Sequence, residues 1–433
     1  MKHWDFTPPT PSDLGDHEVR LDGTHLEGKR IALMVCGGIA AMKAPMLARA
    51  LRRQGAQVTS FLSDEGLRYV TADTMSWSCD RPAVTRLSPR AEHLSDAERF
   101  DLYCVAPATY NTIGKMAGCI ADGLLTATLA SAIGRMERGE CRILVAPTMH
   151  GSMHNSILTA AMRRLESIGV GFIAPRMDAG KLNLPDEEVI VAACCRALSR
   201  SPLAGRRVLV TGGPIAAFLD GVRTISNHFT GSLSIEVARE CEFRGAHVDL
   251  VLGAGSIAGP AWINTWRVKD LSDYRDRVMQ LLDAGSHDAS ILSAAAADFE
   301  PHAPRQGKVS SREEWPLVLR PAAKVIDLVR ERHPDTFLVG FKHEEGISTE
   351  ELLRIGQERA ARDGACVANR GDDFAPRADG TTPPQVSWMC TRESAPVRVE
   401  GKRAIASAIA DLVEREFTRR ALPAQSATAA PRR

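Results

Sequence analysis

Residues 29–43 read KRIALMVCGGIAAMK. The apolar run 29–35 is typical of a buried strand, the turn Cys36-Gly37-Gly38 follows it, and a helical pattern continues to Arg53. Glycines between a strand and a helix leave backbone N–H groups free at the helix N-terminus, where they and the helix dipole can hold a phosphate. The segment predicts the first strand–turn–helix unit of an α/β sheet. A Gly-Gly turn by itself fits simple turn geometry as well as phosphate binding.

Strand-like runs continue along the first half of the chain and alternate with helical patterns such as Ser156–Ser167. The further strands are predicted at Gln57–Leu62, Phe100–Ala106, Arg142–Ala146 and Val170–Ala174. This alternation is typical of a parallel sheet covered by helices.

The pattern restarts after a polar, proline-containing stretch at 200–205. Strands are predicted at Arg206–Val210, His247–Leu252, Ser290–Ala294, Phe337–Phe341 and Ala365–Ala368, with helices at Ser232–Arg244 and Ala404–Phe417. We therefore predict two α/β domains, over 29–199 and 206–420, joined by a linker at 200–205. An extension at 1–28 precedes them, and a disordered tail at 421–433 follows.

Composition excludes several classes of protein. The 433 residues include 54 Lys+Arg and 53 Asp+Glu, so the net charge of +1 gives no field for nucleic acid or an anionic membrane. Aromatic residues are 5%, which argues against a stacking platform for single-stranded nucleic acid. No window has the apolar length of a membrane span, and the first residues lack the apolar region of a signal peptide. The ten cysteines contain no C-x-x-C pair, so we expect free, buried thiols in a reducing cytoplasm and no metal site.

Two further segments place polar side chains after predicted strands. Residues 106–125 read APATYNTIGKMAGCIADGLL, and residues 147–153 read PTMHGSM. Ligands of open α/β sheets bind at the carboxyl ends of the strands, so both segments are candidate binding sites. Asn111 and Thr112 are also candidate caps of the helix that begins there.

These three segments together resemble the bifunctional phosphopantothenoylcysteine decarboxylase / phosphopantothenate–cysteine ligase family of coenzyme A synthesis, over residues 29–416. The resemblance implies a flavodoxin-like decarboxylase domain followed by a Rossmann-like α/β ligase domain. It implies FMN bound by Gly37, Gly38, Ile39, Ala40, Ser63, Pro107, Ala108, Thr109, Asn111 and Thr112. It also implies that Met149, His150 and Met153 contact the substrate.

His93 matches the active-site histidine of the family. A lone histidine is more often a satisfied surface residue, but an imidazole near neutrality suits a general base on a thiol or carboxylate. In the family, the flavin oxidises the cysteinyl thiol, CO₂ leaves, and a flap cysteine helps to reduce the resulting enethiolate. The matching flap here, residues 174–185, reads APRMDAGKLNLP and contains no cysteine. His150 also replaces an asparagine of the family motif.

The second half resembles the ligase domain in the motifs DGVRTISN at 220–227, SAAAADF at 293–299 and Ala368-Asn369. The resemblance implies that CTP with Mg²⁺ activates the carboxylate of 4′-phosphopantothenate and that a cysteine amine displaces CMP. Asn227 and Lys308 would be catalytic. The expected contacts to nucleotide and substrate are Gly212, Gly213, Asp220, Arg223, Ala297, Asp298, Lys308 and Phe341. The family also implies homo-oligomers with trimer and dimer contacts, up to a dodecamer.

Departures occur in this half too. Ile215-Ala216-Ala217 replaces a TRE stretch, Ser310 and Ser311 replace lysines that follow Lys308, and Lys324 replaces an acid. The sequence thus predicts the bifunctional enzyme, as a specialised paralogue with an altered substrate. Two alternatives stay open: a flavoprotein that decarboxylates oxidatively and stops at an enethiol, and a non-catalytic flavin-binding regulatory or scaffold subunit.

Overall fold

The computed structural model describes residues 6–8, 10–94, 99–285, 287–312, 314–374 and 383–421. The chain divides between Ser199 and Arg200 into two compact units. No helix in these described ranges is long and apolar enough to cross a membrane. All ten cysteines are free thiols, and nine of them are buried.

The first unit is built on a five-stranded parallel sheet in the order β2-β1-β3-β4-β5. Its strands, β1 to β5, are Arg30–Val35, Gln57–Leu62, Leu102–Ala108, Arg142–Pro147 and Gly171–Phe172. Leu33, Val105 and Val145 lie in the three central strands and have no exposed surface. These strands are buried on both faces because helices cover the sheet, which is why they read as continuous apolar runs.

Six helices accompany this sheet. The helices, α1 to α6, are Ala44–Arg52, Ala72–Cys79, Tyr110–Ala117, Leu124–Glu137, Ser156–Ser167 and Glu187–Leu198. A hairpin of β6 (Arg176–Asp178) and β7 (Lys181–Asn183) lies between β5 and α6. We call this hairpin the flap.

Part of the predicted extension belongs to the first unit. The N–H groups of Asp22 and Leu26 donate to the carbonyl oxygens of Arg53 and Gln54 after α1, at 2.7 and 2.8 Å. Leu26 has no exposed surface. The burial of Leu26 and these two hydrogen bonds fix residues 22–26 against the end of α1.

The second unit has an eight-stranded sheet in the order β13-β12-β8-β14-β18-β19-β20-β21. In this order, the first six strands, from β13 through to β19, run parallel to one another. Strand β20 is antiparallel to β19, and β21 is antiparallel to β20. The sheet strands are β8 Arg207–Gly212, β12 His247–Gly253, β13 Asn264–Val268, β14 Ala289–Leu292, β18 Phe337–Glu344, β19 Gly364–Arg370, β20 Val386–Thr391 and β21 Val397–Glu400.

Short ladders and five helices complete the second unit. The ladder strands are β9 Pro214–Ile215, β10 Ala217–Phe218, β11 Thr224–Ile225, β15 Ala295–Ala296, β16 Phe299–Pro301 and β17 Leu319–Pro321. The helices, α7 to α11, are Ser232–Phe243, Leu271–Asp283, Val325–Arg332, Thr349–Asp363 and Lys402–Ala421. Leu203, inside the predicted linker, has no exposed surface and packs in the core of this unit.

Several expectations differ from the structure. The strand predicted at Phe100–Ala106 runs from Leu102 to Ala108. The Asp101 carboxylate, just before the strand, accepts the backbone N–H of Arg30 at 2.8 Å. The strand predicted at Val170–Ala174 is reduced to two residues. Ala421, assigned to the tail, is the last residue of α11, and residues 422–433 of the predicted tail lie outside the described part of the chain.

Candidate active sites

The turn after β1 has a backbone conformation that favours glycine. Gly38 has φ 129° and ψ 155°, and it precedes the short 3₁₀ helix Ile39–Lys43, which has no side-chain cap among the described residues. A Cβ added to Gly37 would lie 2.4 Å from the Cβ of Glu65. The open backbone N–H groups of such a turn fit the predicted anion site at Gly37, Gly38, Ile39 and Ala40.

Ser63 lies beside this turn because it directly follows β2 and is hydrogen-bonded to the last residue of β1. Its backbone N–H donates to the carbonyl oxygen of Val35 at 3.1 Å. Its Oγ accepts the N–H of Gly66 at 3.0 Å. The structure therefore places the predicted phosphate-contacting hydroxyl next to the glycine turn.

A hydrogen-bonded cluster joins the ends of β1 and β3. The Thr112 hydroxyl donates to Sγ of Cys36 at 3.1 Å. Burial raises the pKa of the Cys36 thiol, and the hydrogen bond from Thr112 offsets only part of that effect. Cys36 is therefore a neutral acceptor that fixes Thr112, and both residues are buried.

The expected caps of α3 are corrected by the structure. Thr109 is the N-cap: its side chain accepts the N–H of Thr112 at 3.3 Å, because β3 ends at Ala108 and the helix begins two residues later. Asn111, in the first turn, is exposed. Its carboxamide is therefore available to a ligand at the same strand end as Pro107 and Ala108.

His93 lies on the short 3₁₀ helix Glu92–Leu94, which packs against α4. Its Nδ1 is buried and has no hydrogen-bond partner among the described residues. Leaving a buried ring nitrogen without a partner costs free energy of folding. Such a nitrogen therefore indicates a functional role for His93 more than a purely structural one.

The flap is connected to the end of β4. Met149 and Leu182 exchange two backbone hydrogen bonds, at 3.0 and 3.2 Å. A Cβ on Gly151 would lie 2.4 Å from the carbonyl oxygen of Gly180 in the flap turn, so the two backbones are in close contact. Met153, which follows, is exposed.

His150 is exposed, and its Nδ1 accepts the backbone N–H of Ser152 at 3.2 Å. A neutral ring therefore carries its proton on Nε2 and can donate one hydrogen bond there. Such a donor can serve a carboxylate.

The second unit has a cradle of glycines at the carboxyl ends of β8 and β12. A Cβ on Gly212 would lie 1.7 Å from the hydroxyl oxygen of Ser234, and a Cβ on Gly213 would lie 1.7 Å from that of Ser256. Gly213 also has φ 74°. Gly231, also with positive φ, is the N-cap of α7, and no side chain caps that helix among the described residues. The N-terminus of α7 and the closely packed glycines form a surface suited to a phosphate. We call this surface the glycine cradle.

Asn227 is fixed by the strand end that carries Asp298. Its Nδ2 donates to the carbonyl oxygens of Ala295 and Ala296 at 3.1 and 3.3 Å. Both N–H bonds are thus used, and the oxygen Oδ1 is the part of the amide left for a ligand. Ala297, between these residues and Asp298, is buried, and the Asp298 carboxylate pairs with the Lys324 ammonium.

Asp220 and Arg223 hold the loop that carries Lys308. The buried Asp220 carboxylate accepts the backbone N–H groups of Val222, Arg223 and Val309 at 2.7–3.0 Å and the Arg223 guanidinium at 2.5 Å. Burial alone would raise the pKa of this carboxyl, but the hydrogen bonds hold it well below its usual range. Lys308 lies exposed between Gly307 and Val309, and Gly307 accepts the N–H of Gly221 at 2.8 Å.

Phe341 follows Gly340, which pairs with Leu292 at the end of β14. It is a half-buried residue of β18 whose ring packs against the core of the second unit. The pairing of Lys324 with Asp298 was not predicted, because 25 residues lie between them in the chain and neither has a local signal for the other. Among the described residues, no group of three His, Cys, Asp or Glu side chains is arranged to hold a metal ion.

Both units thus have polar side chains and glycine turns at the carboxyl edge of a parallel sheet, the arrangement of α/β proteins that bind phosphorylated ligands. Residues 20–199 match the Flavoprotein family, and residues 203–416 match the family described as DNA/pantothenate metabolism flavoprotein C-terminal domain.

Curated relatives resemble the chain over both units. The Coenzyme A biosynthesis bifunctional protein CoaBC of Thermococcus kodakarensis is 35% identical over 352 residues, which cover 79% of this chain and 86% of that protein. The protein with the same name from Vibrio cholerae is 29% identical over 90% of this chain and 99% of its own length. The chain belongs to the family of the coenzyme A biosynthesis bifunctional proteins.

Proposed function

We propose that the chain carries out two consecutive reactions of coenzyme A synthesis. The second unit joins 4′-phosphopantothenate to cysteine with CTP, and the first unit decarboxylates the cysteinyl product with FMN. The observation that carries this proposal is the match to bifunctional relatives across both units, combined with a phosphate-type turn at the carboxyl edge of each sheet.

In the second unit, each polar residue of the candidate site has a separate task. The glycine cradle holds a phosphate group through backbone N–H donors. Lys308, on the loop fixed by Asp220, supplies positive charge to a phosphate or to the leaving group. Oδ1 of Asn227 accepts a hydrogen bond from the incoming cysteine amine and orients it, because the two N–H bonds of that amide are already used.

In the first unit, the glycine turn and Ser63 fit a phosphate, and Asn111 and Thr112 line the adjoining strand end, so the residues present fit FMN. FMN, when bound, supplies the two-electron oxidation of the cysteinyl thiol. His93 removes the thiol proton, for which its Nδ1, without a hydrogen-bond partner among the described residues, is suited. His150 donates from Nε2 to the substrate carboxylate until CO₂ leaves. The flap, held on Met149, excludes water from the strand end.

The test of this proposal separates the two units. Purified chain is reconstituted with FMN, and its visible absorbance is followed. Pyrophosphate release is measured with CTP, Mg²⁺, 4′-phosphopantothenate and cysteine. We expect flavin bound in stoichiometric amount and pyrophosphate release that depends on 4′-phosphopantothenate. A colourless protein that releases no pyrophosphate would contradict both assignments.

A second candidate outcome for the first unit is supported by the flap. Residues 174–185 contain no cysteine to protonate the enethiolate. The first unit would then release the oxidised enethiol as its product. The mass of the product decides between the outcomes: loss of CO₂ together with two hydrogens indicates the enethiol, and loss of CO₂ alone indicates the reduced thiol.

We also infer that the protein works in the cytoplasm as a homo-oligomer. The ten free thiols support a reducing compartment. Exposed apolar side chains on and beside the β16–β17 ladder, among them Phe299 and Val318, support a contact with another copy. Size-exclusion chromatography with light scattering tests the assembly, and a monomer at micromolar concentration would contradict it.

A further inference from the structure

The carboxylate of Asp298 is neutralised by a lysine from another element. Asp298 follows the β14–β15 strand end, and Lys324 is the residue just before α9. Ala322 donates its backbone N–H to the carbonyl oxygen of Asp298 at 2.9 Å, which brings the two segments together. The Lys324 ammonium then pairs with the Asp298 carboxylate.

This ion pair is connected to the glycine cradle through Ala295. Ala295 donates its N–H to the carbonyl oxygen of Gly213, a cradle residue, at 2.9 Å. Asp298 is three residues further, a span of at most about 10 Å. Both residues of the pair remain about half exposed or more, at 51% for Lys324 and 67% for Asp298, so neither side chain is hidden from a ligand.

Electrostatics gives the pair a consequence for binding. A nucleoside triphosphate held in the cradle brings several negative charges to the strand end that carries Asp298, and charges in water are screened only beyond about 8 Å. An unpaired carboxylate at that place would repel the phosphates. The paired carboxylate contributes almost no net charge, because the Lys324 ammonium offsets it.

We propose that Lys324 determines the nucleotide affinity of the second unit by cancelling the charge of Asp298, and not by contacting the nucleotide itself. This inference rests on the proposed ligase function, because it takes a nucleoside triphosphate as the ligand. It assigns to Lys324 a positioning and charge-balancing task. The affinity for the triphosphate depends on the pair, whereas the affinity for the uncharged nucleoside does not.

A double-mutant cycle on the full-length chain tests the inference. CTP binding with Mg²⁺ is measured by calorimetry for the native chain, K324M, D298N and the double variant. We expect K324M to weaken CTP binding about fivefold in the native background and less than about twofold in the D298N background. Cytidine, as a second probe, should bind all four proteins alike.

The matched control is R354M, which removes a cation of similar exposure from the pair with Glu351 on α10. It should leave CTP binding unchanged. Equal weakening by K324M in both backgrounds would overturn the proposal, because it would mean a direct contact of Lys324 with the nucleotide. No weakening in either background would also overturn it. A native chain that binds no CTP would contradict the ligase function as well, so the two failures are distinguishable.

Discussion

At the scale of single residues, hydrogen bonds to the backbone decide which polar atoms remain for a ligand. Asn227 uses both N–H bonds on two carbonyl oxygens and offers its oxygen. His150 uses Nδ1 on Ser152 and offers Nε2. Thr109 caps α3 and so leaves Asn111 exposed. These assignments follow from the contacts and could not be read from residue type.

The first prediction concerns Asn227. In N227D an oxygen replaces the NH₂ group and faces the carbonyl oxygens of Ala295 and Ala296, so the side chain is driven from its position. We expect the rate of pyrophosphate release to fall about a hundredfold, the usual effect of losing one well-placed polar group. Decarboxylation of synthetic phosphopantothenoylcysteine by the first unit is the internal control and should not change. An unaltered ligase rate would remove Asn227 from the site.

The second prediction concerns Gly38. A Cβ would meet no atom within 4 Å there, so the cost of G38A is backbone strain at φ 129°. We expect a loss of about 1–3 kcal/mol in the stability of the flavin-bound turn and weaker FMN binding, measured by fluorescence titration. The matched control is G139A, at φ 75° with equally open space in the turn that follows α4. It should lower the melting temperature without changing FMN affinity.

The candidate site residues were predicted from motifs, and motifs do not predict every contact at these sites. Gly37, Ser63 and Thr112 were predicted together and do lie at neighbouring strand ends. The pair of Lys324 and Asp298 was not predicted, because it depends on how the segment before α9 returns to the strand end. Motif spacing carries no information on such long-range contacts.

At the scale of elements, two short segments hold residues of the candidate sites in place. The flap is connected to β4 through Met149 and Leu182. The 307–309 loop is connected to Asp220 and Arg223. Each segment has a small number of contacts, so a single substitution can release it from the sheet edge.

The third prediction concerns the contact between the flap and Gly151. In G151A the new Cβ would lie 2.4 Å from the carbonyl oxygen of Gly180, so the flap must move away. We expect decarboxylation to fall at least about tenfold while CTP-dependent ligation is unchanged. G134A, inside α4 with its nearest contact at 3.8 Å, is the control and should keep both activities. Full decarboxylation by G151A would show that flap position is not needed.

The fourth prediction concerns the pH dependence of the Asp220 contacts. Its pKa lies below the ordinary value of about 3.9, so the folded state binds fewer protons than the unfolded state below about pH 4. The stabilisation is complete above that pH and is lost as the pH falls toward the depressed value. We expect D220N to be less stable at pH 7 and to show a flatter decline below pH 4.

Thermal unfolding between pH 2.5 and 7 measures this effect. The control is D276N, which changes an exposed carboxylate on α8. It should keep the pH profile of the native chain. A D220N profile parallel to the native one would mean that Asp220 is not a source of the acid sensitivity.

The regular elements of the fold were predictable because buried parallel strands leave a strong apolar signal. The strand predicted at Gln57–Leu62 and the helix predicted at Ser156–Ser167 have these same bounds in the structure. The antiparallel strands β20 and β21 and the edge strand β13 were not predicted. Strands β13 and β21 are the edge strands of the sheet, and their partial exposure weakens the pattern. Strand β20 is mostly buried, so exposure does not explain why it was missed.

At the scale of the whole molecule, one chain carries a parallel sheet and a largely parallel sheet, each with a candidate ligand site at the carboxyl ends of its parallel strands. Each unit has its own hydrophobic core. The fusion gives a single protein the groups for an amide-forming step and for the decarboxylation of its product. The departures at His150, the flap and Lys324 alter charge and proton donors within these candidate sites, while the glycine turns proposed to hold phosphates are kept.

The most direct test of the central claim is the mass spectrum of one reaction. The full-length chain with FMN is mixed with 4′-phosphopantothenate, cysteine, CTP and Mg²⁺, and the products are followed over time. The account predicts the amide adduct first and then its decarboxylated product. Absence of the adduct from an FMN-loaded protein would contradict the assignment to coenzyme A synthesis.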